Sequence, residues 1–328
     1  MALTVAYYDA SMEAQWDDFV LNKSMNGTFL QTRKFISYHA EGKFTDRSLC
    51  IKKGNELVAA VMACEIMDEG KRTFFGHKGS TFGGITVSER IYSASAISEL
   101  MEVLHAFLQQ EGFEKVYLKM VPDVYQKADT SLLDYFLYQN GYTCYNELNY
   151  YMHLDRYRDD VITQYSSSKR RDYRYSLKND LRFKPLETRE EIAQFYEVLK
   201  LNLAKLNLHA VHSLEDLYDL KFNRFHETIQ FYGVYLEERM IAGSMIFIFD
   251  GRIFHTQYLS SDEQYLKLFP MDFLITNLIQ TAVEQSMELF SFGICTEDQG
   301  RYLNLGLSRF KEGFGTEFCI NRSYELIL

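Results

Sequence analysis

The sequence predicts an α+β protein made of two similar halves. Three observations carry that reading. Apolar spacing switches repeatedly between helical and strand periods along all 328 residues. Each half holds an antiparallel meander marked by a tight-turn dipeptide, Gly54-Asn55 in the first and Asp250-Gly251 in the second. The order of elements also recurs: Leu57-Val58-Ala59 matches Met240-Ile241-Ala242, residues 16–19 match 195–198, and residues 116–120 match 289–293. The offset drifts by only about ten residues, as expected for duplication of one supersecondary plan. A chain of this length suits two domains of about 150 residues. The expected domains are 1–155 and 156–328.

In the first half, residues 3–8 read as a strand. Ser11 opens a helix with Trp16, Phe19 and Val20 on one face. Residues 29–40 carry a second helical pattern. Residues 49–53 and 57–65 flank the hairpin turn, and residues 73–75 add a third strand. A glycine-rich loop follows at 76–84. Residues 97–108 form an amphipathic helix ending at Gly112, 116–120 a buried strand, 132–138 a short helix, and 142–154 a closing strand.

The second half repeats the plan. Residues 190–206 are helical, with Ile192, Phe195, Tyr196 and Leu199 on one face. Ser213 starts another helix, with Asp216 at the capping-box spacing. Residues 231–236, 240–249 and 253–259 form the meander, and 271–286 a helix. Then comes a short apolar strand at 289–293, an acidic loop, and a helical pattern running from Tyr302 through Leu303, Leu307 and Phe310. Gly313 and Gly315 end that helix.

Composition narrows the function. Hydrophobic residues make 47% of the chain, enough for sizeable cores. Acidic residues outnumber basic ones 45 to 35, which disfavours a generally basic nucleic-acid surface but leaves room for a local patch. Cys50, Cys64, Cys144, Cys295 and Cys319 are scattered, odd in number and without a CxxC pair. They read as reduced thiols in a cytoplasmic protein. The first residues lack the pattern of a signal peptide, and no apolar run is long enough to span a membrane. His209 and His212 form an HxxH without a visible third ligand, so no metal is expected.

The C-terminal stretch carries the chemistry. A glycine turn with Lys311 at its edge can present N–H groups and a cation to a phosphate, or to the oxyanion of an acyl transfer. A plain helix C-cap with a solvated lysine is the other reading. The hexapeptide Phe310-Lys311-Glu312-Gly313-Phe314-Gly315 resembles the FKxGFG signature of the FemABX family. The stretch from Ser291 onward is also similar to GNAT-type acyltransferases of polysaccharide and cell-wall gene sets. That resemblance implies two tandem GNAT-like domains, each a mixed, mostly antiparallel sheet flanked by helices. The first domain would be the acceptor side and the second the acyl-donor side. It also implies transfer of an acyl group from acyl-CoA, or of an aminoacyl group from aminoacyl-tRNA, to an amine.

Further candidates follow from the residues and the resemblance together. Residues 169–184 carry seven basic and two acidic residues. Read as a helix, Arg170, Arg174 and Lys178 share one face and form a phosphate clamp; a solvated face is the alternative. Thr81, Phe82 and Gly83 resemble the family's substrate-side loop, although its leading proline is missing. His212 is expected to touch substrate. His255 and Tyr258 lie on the strand that lines the donor cleft of a GNAT domain. Acetyl-CoA enzymes of that fold then carry a glycine-rich diphosphate turn; here Tyr265 to Pro270 replaces it, which puts acetyl-CoA itself in doubt. Glu297 is a candidate base, while Asp298 is expected to cap the next helix. The site is thus Lys311 and Glu297 for catalysis, with Phe310 and Gly313 beside the clamp, the loop and the cleft residues for binding. The expected acceptor is an amino sugar, a nucleotide sugar or a peptide stem. The alternative is a non-catalytic nucleotide-sugar or peptide binder on the same duplicated fold.

Overall fold

The computed structural model describes residues 2–205 and 208–328. The predicted helix end at Leu206 lies outside them. The chain divides into two compact units. Unit 1 holds Met1–Glu147, Glu297–Tyr302 and Cys319–Leu328; unit 2 holds Leu148–Thr296 and Leu303–Phe318. The last ten residues, drawn from sequence into the second half, therefore pack with the first.

Unit 1 begins with β1 (Leu3–Tyr7), α1 (Glu13–Asp18) and α2 (Arg33–Ile36). The long helix read at 29–40 shrinks to this one turn after a 3-10 turn, with the Thr32 side chain capping Phe35 N. Next come β2 (Thr45–Asp46), β3 (Leu49–Lys53), β4 (Glu56–Met62), β5 (Cys64–Asp68), β6 (Lys71–Phe75) and β7 (Gly84–Val87). Helix α3 (Ala94–Gln110), strand β8 (Lys115–Lys119), α4 (Ser131–Gln139) and the start of β9 (Thr143–His153) follow. One sheet runs β1-β3-β4-β7, and β2-β5-β6-β8 belong to another. Leu100, Leu104 and Leu108 of α3 bury one face on Val58, Phe74, Val116 and Leu118. Trp16, Phe19 and Val20 pack as predicted, on Cys50, Ala60 and Met62.

Unit 2 opens with α5 (Ser167–Ser176) and β10 (Leu181–Pro185). The basic segment read as one helix is therefore a helix, a turn and a strand. Helix α6 (Arg189–Ala204) starts at a Thr188–Glu191 capping box, and α7 (Leu214–Tyr218) at the predicted Ser213–Asp216 box. Strands β11 (Ile229–Leu236), β12 (Arg239–Phe249) and β13 (Ile253–Ser261) form the meander, followed by α8 (Pro270–Glu284) and β14 (Leu289–Ile294). Strand order is β10-β11-β12-β13-β14-β9; all neighbours are antiparallel except β13 and β14. Two-residue strands β15 (Thr296–Glu297) and β16 (Tyr302–Leu303) precede α9 (Leu305–Glu312). The last strand, β17 (Glu317–Ile327), pairs with β8 from Ser323↔Lys119 to Ile327↔Lys115. Leu274, Leu278 and Ile279 of α8 bury against Ile246, Phe254 and Phe290 of the sheet.

Candidate active site

The parallel pair in unit 2 is short. β13 and β14 match at Ile253↔Leu289, Phe254↔Phe290 and His255↔Ser291, and the pairing ends there. Each strand is irregular just past the last pair. Along β13 the register jumps from Tyr258 to Thr256 across Met245/Ile246, leaving Gln257 as a bulge. Along β14 the register against β9 slips between Ser291 and Gly293, with Gly293 at φ +73°. A bulge bends its strand. Two of them at the same level open the strands into a fork. Gln257, Tyr258 and Leu259 are half-buried although β13 is an interior strand, and Ile294 is 37% exposed.

The apex of the fork is cross-linked. His255 Nδ1 lies 3.2 Å from Ser291 Oγ, Gly293 N donates to the same Oγ at 3.3 Å, and Thr256 Oγ1 donates to Ser291 O at 3.3 Å. Burial, with the nearby Lys311 ammonium adding to it, lowers the His255 pKa to about 3. A neutral imidazole with that pKa is no base near neutrality; it ties the strands together.

Lys311 reaches the same edge from α9. Its side chain is 4% exposed, and Nζ donates to Phe292 O at 2.9 Å, Gly293 O at 3.0 Å and Ile294 O at 2.8 Å. An ammonium has three hydrogens, and all three are engaged. Burial lowers its pKa to about 8, with Cys295 opposing. The turn amides are engaged too: Gly313 N donates to Arg309 O, Phe314 N to Lys311 O and Gly315 N to Glu312 O. In this geometry neither Lys311 nor the glycine turn points a donor at a reacting oxyanion. Lys311 instead fixes where β14 lies after the bulge.

The two glycines of the motif have a packing reason. A Cβ on Gly313 would sit 2.7 Å from Lys169 Cγ. One on Gly315 would sit 2.7 Å from both Gln164 O and Tyr157 Oη, at φ +84°. Ser166 N donates to Gly313 O at 2.9 Å, and the Tyr157 hydroxyl donates to Phe314 O and Gly315 O at 3.0 Å. Lys169 Nζ bonds Asp272 Oδ1 at 2.6 Å and lies 4.1 Å from the Phe310 ring centroid. Phe310 and Gly313 thus meet the first turn of α5.

Asp272 stands in the first turn of α8, where an acetyl-CoA enzyme would seat the diphosphate. It is 7% exposed. Burial raises its carboxyl pKa, with Lys169 opposing. Phe269 at φ +55° and Pro270 at N1 replace the glycine turn. That helix end already carries its own carboxylate and cation.

Of the basic strip, Arg170 is half-buried and Arg174 exposed on α5. Lys178 lies past the helix end, 4.9 Å from the Tyr175 ring centroid. His212 and Tyr258 do meet, Nδ1 to hydroxyl at 2.8 Å. Burial pushes the Tyr258 hydroxyl up to about 12. His209 is exposed, and among the described residues no three His, Cys, Asp or Glu side chains form a metal-binding group.

The remaining candidates fall in unit 1. Phe82 is buried against Tyr125 with ring centroids 5.1 Å apart, Gly83 N donates to Lys119 O at 2.9 Å, and Thr81 is exposed. Glu297 is exposed. Asp298 caps no helix: it and Gln299 form a left-handed turn at φ +48° and +53°, and Asn304 caps α9 through Leu307 N at 3.0 Å. Sequence reasoning did not single out Lys169, Asp272 or Ser291 as site residues, and it placed Gln257 on the cleft strand without foreseeing its bulge. Ser291 had a signal, as the one polar residue in the apolar run 289–292.

Comparison with known proteins fits this geometry. Residues 165–312 match the family model described as an acetyltransferase (GNAT) domain. No curated protein matches the sequence. Among solved structures, FemX shares the fold at TM-score 0.71 and 12% identity, over 99% of this chain and 97% of its own. The C-terminal domain of a putative lysylphosphatidylglycerol synthetase from Agrobacterium fabrum matches at TM-score 0.59 and 10% identity, covering 85% and 84%. A tandem GNAT protein from the clavulanic acid biosynthesis pathway matches at TM-score 0.56 and 8% identity, covering 99% and 98%.

Proposed function

We propose that this chain is a FemABX-like, GNAT-type acyltransferase and that it acylates an amine of a cell-wall or polysaccharide precursor. The observation that carries this is the β13/β14 fork, which parts after three residue pairs between two bulges. The acyl carbonyl enters the fork, and the amine attacks its carbon. The tetrahedral oxyanion is held by backbone N–H of the bulged segment around Gln257. The amine's proton leaves through a carboxylate or water chain, and the carrier thiol or hydroxyl departs with the electron pair of the broken acyl bond. Lys311 and His255 position the fork edges. His212 and Tyr258 shape its mouth.

The donor is an acyl-CoA or an aminoacyl-tRNA. The occupied start of α8 weighs against a diphosphate seated there, because Asp272 places a buried carboxyl where the anion would lie. Arg170, half-buried on α5, is the cation we assign to the donor's phosphate. Thr81, Phe82 and Gly83 in the loop of unit 1 are proposed to bind acceptor, and Glu297 is the proposed base. The expected setting is the cytoplasm; no described helix is long and apolar enough to cross a membrane.

The test is a transfer assay by mass spectrometry, with acyl-CoAs and aminoacyl-tRNAs against amino-sugar, nucleotide-sugar and peptide amines. One donor class should react, and Gly293→Val should abolish transfer by closing the fork. Undiminished turnover in that variant would place the chemistry elsewhere. Nucleotide-sugar binding without any transfer would favour a binding protein.

A further inference from the structure

The surface of unit 2 around the end of α5 combines exposed apolar side chains with cations. Tyr175 is 44% exposed, Leu177 55% and Leu266 55%. They belong to one surface: the Tyr175 ring stacks on Phe269 at 5.9 Å, and Asn179 Nδ2 donates to Leu268 O at 3.4 Å, joining the end of α5 to the turn before α8. Around these apolar groups stand exposed Arg171, Arg174, Lys178 and Lys267. Acidic groups nearby are few. Asp172 bonds Arg171 at 3.1 Å, Glu263 pairs with Lys205 at 3.4 Å, and Asp180 is exposed. The patch is thus cationic in a chain of formal charge −10.

We propose that this face docks the protein on an anionic lipid bilayer. Exposed aliphatic and aromatic side chains ringed by Lys and Arg are what an interfacial membrane contact requires: the apolar groups enter the headgroup–acyl boundary, and the cations meet anionic headgroups. A polynucleotide would use the cations and could stack on Tyr175, but it offers nothing for Leu177 and Leu266 to bury in. Arg174 and Lys178, grouped from sequence with Arg170 as a phosphate clamp, take the bilayer role here.

The test is co-sedimentation of the full chain with sucrose-loaded vesicles, phosphatidylcholine alone against phosphatidylcholine with phosphatidylglycerol. Binding to the anionic vesicles should exceed binding to the neutral ones at least tenfold and fall with salt. The double variant Leu177→Asp/Leu266→Asp should lose it about tenfold, with unchanged circular dichroism and melting temperature, and unchanged transfer to a soluble acceptor. Lys267→Gln, a single change at an exposed residue, should lose roughly fivefold, the usual worth of one interfacial cation. Equal partition onto both vesicle types, or binding untouched by either variant, overturns the proposal. So does tighter binding to an RNA oligonucleotide that the leucine variant retains. The vesicle readout needs no acyl transfer, so its failure and that of the acyltransferase reading are distinguishable.

Discussion

The two units contain the same fork, and unit 1 folds a loop back into its own. In unit 1, β6 and β8 run parallel for three pairs, Thr73↔Lys115 to Phe75↔Tyr117. In unit 2, β13 and β14 do the same from Ile253↔Leu289 to His255↔Ser291. Beyond the third pair they part ways. Unit 2 carries a one-residue bulge at Gln257, after which β13 continues along β12 from Tyr258↔Met245 to Ser261↔Ala242. Unit 1 inserts the loop 76–83 at the same point, then resumes as β7 along β4, from Gly84↔Met62 to Val87↔Ala59. That loop folds back into its own fork. Gly76 N donates to Tyr117 O at 2.6 Å, Gly83 N to Lys119 O at 2.9 Å, and Lys119 Nζ to Ser80 O at 2.6 Å. Unit 1 ties its splayed strands together with its own loop, whereas the fork of unit 2 is the one we propose for the substrate. Each fork also has a lysine whose pKa burial lowers to about 8, Lys119 in one and Lys311 in the other.

The sharpest way to break this comparison is Lys311→Met. It leaves Phe292 O, Gly293 O and Ile294 O without their common donor inside unit 2. Leaving buried carbonyls without their donor costs about 1–3 kcal/mol for each group, and three are affected here. We expect a loss of that size in denaturant titration and transfer too weak to detect. Normal stability would mean that Lys311 does not hold the fork.

Next in size is Gly83→Ala in unit 1. A Cβ there would lie 2.4 Å from Gly76 O, a backbone atom that cannot swing away. Overpacking of this kind costs about 1–3 kcal/mol. Gly293→Ala makes only an ordinary 3.4 Å contact with His255 Cε1, and its cost is the φ of +73°, about 1–2 kcal/mol. Stability should therefore fall further for Gly83→Ala, while transfer should fall further for Gly293→Ala. A reversed ranking in the transfer assay would put the working fork in unit 1.

Much of this plan was legible in the sequence where burial is one-sided and periodic. The meander of unit 2, the α3 face and the Trp16 face all follow apolar spacing. The glycines gave away the loop at 76–84, but the forks were not legible, because a one-residue bulge at Gln257 and the pairing of distant strands leave no periodic trace. Before and along α9 the periodicity was right only in part: Leu303 and Phe310 pack on the core, but Tyr302 and Leu307 are 59% and 39% exposed, while Ser308 and Lys311 are buried. Those polar residues go inside because each finds a partner, Ser308 in Tyr150 and Lys311 in three carbonyls. Strand β17 gave no signal, since EFCINRSYELI alternates poorly. It is a strand because β8 offers it a ladder. The FKEGFG signature was legible as a motif, but its glycines answer to Lys169, Gln164 and Tyr157, distant in sequence.

The smallest effects concern acid. Each unit holds one carboxyl lowered to about 2: Glu65 by hydrogen bonds from Arg72 and Arg47, and Glu191 by the Lys184 hydrogen bond and backbone amides. A folded pKa below the ordinary value of 4.5 adds stability that is fully present above about pH 4.5. It is lost as pH falls toward 2. Both pairs reach the surface, so screening limits each to about 1 kcal/mol. Glu65→Gln and Glu191→Gln should each flatten the stability profile between those pH values and leave its neutral plateau lowered by that amount. Trp16, the single tryptophan, is buried in unit 1 and reports on that unit by fluorescence. Glu65→Gln should shift the acid transition Trp16 sees. Glu191→Gln should move the far-ultraviolet circular dichroism transition and leave the Trp16 transition in place, provided the two units titrate as separate bodies. A Trp16 transition moved equally by both variants would show that the forks, however differently filled, stand or fall together.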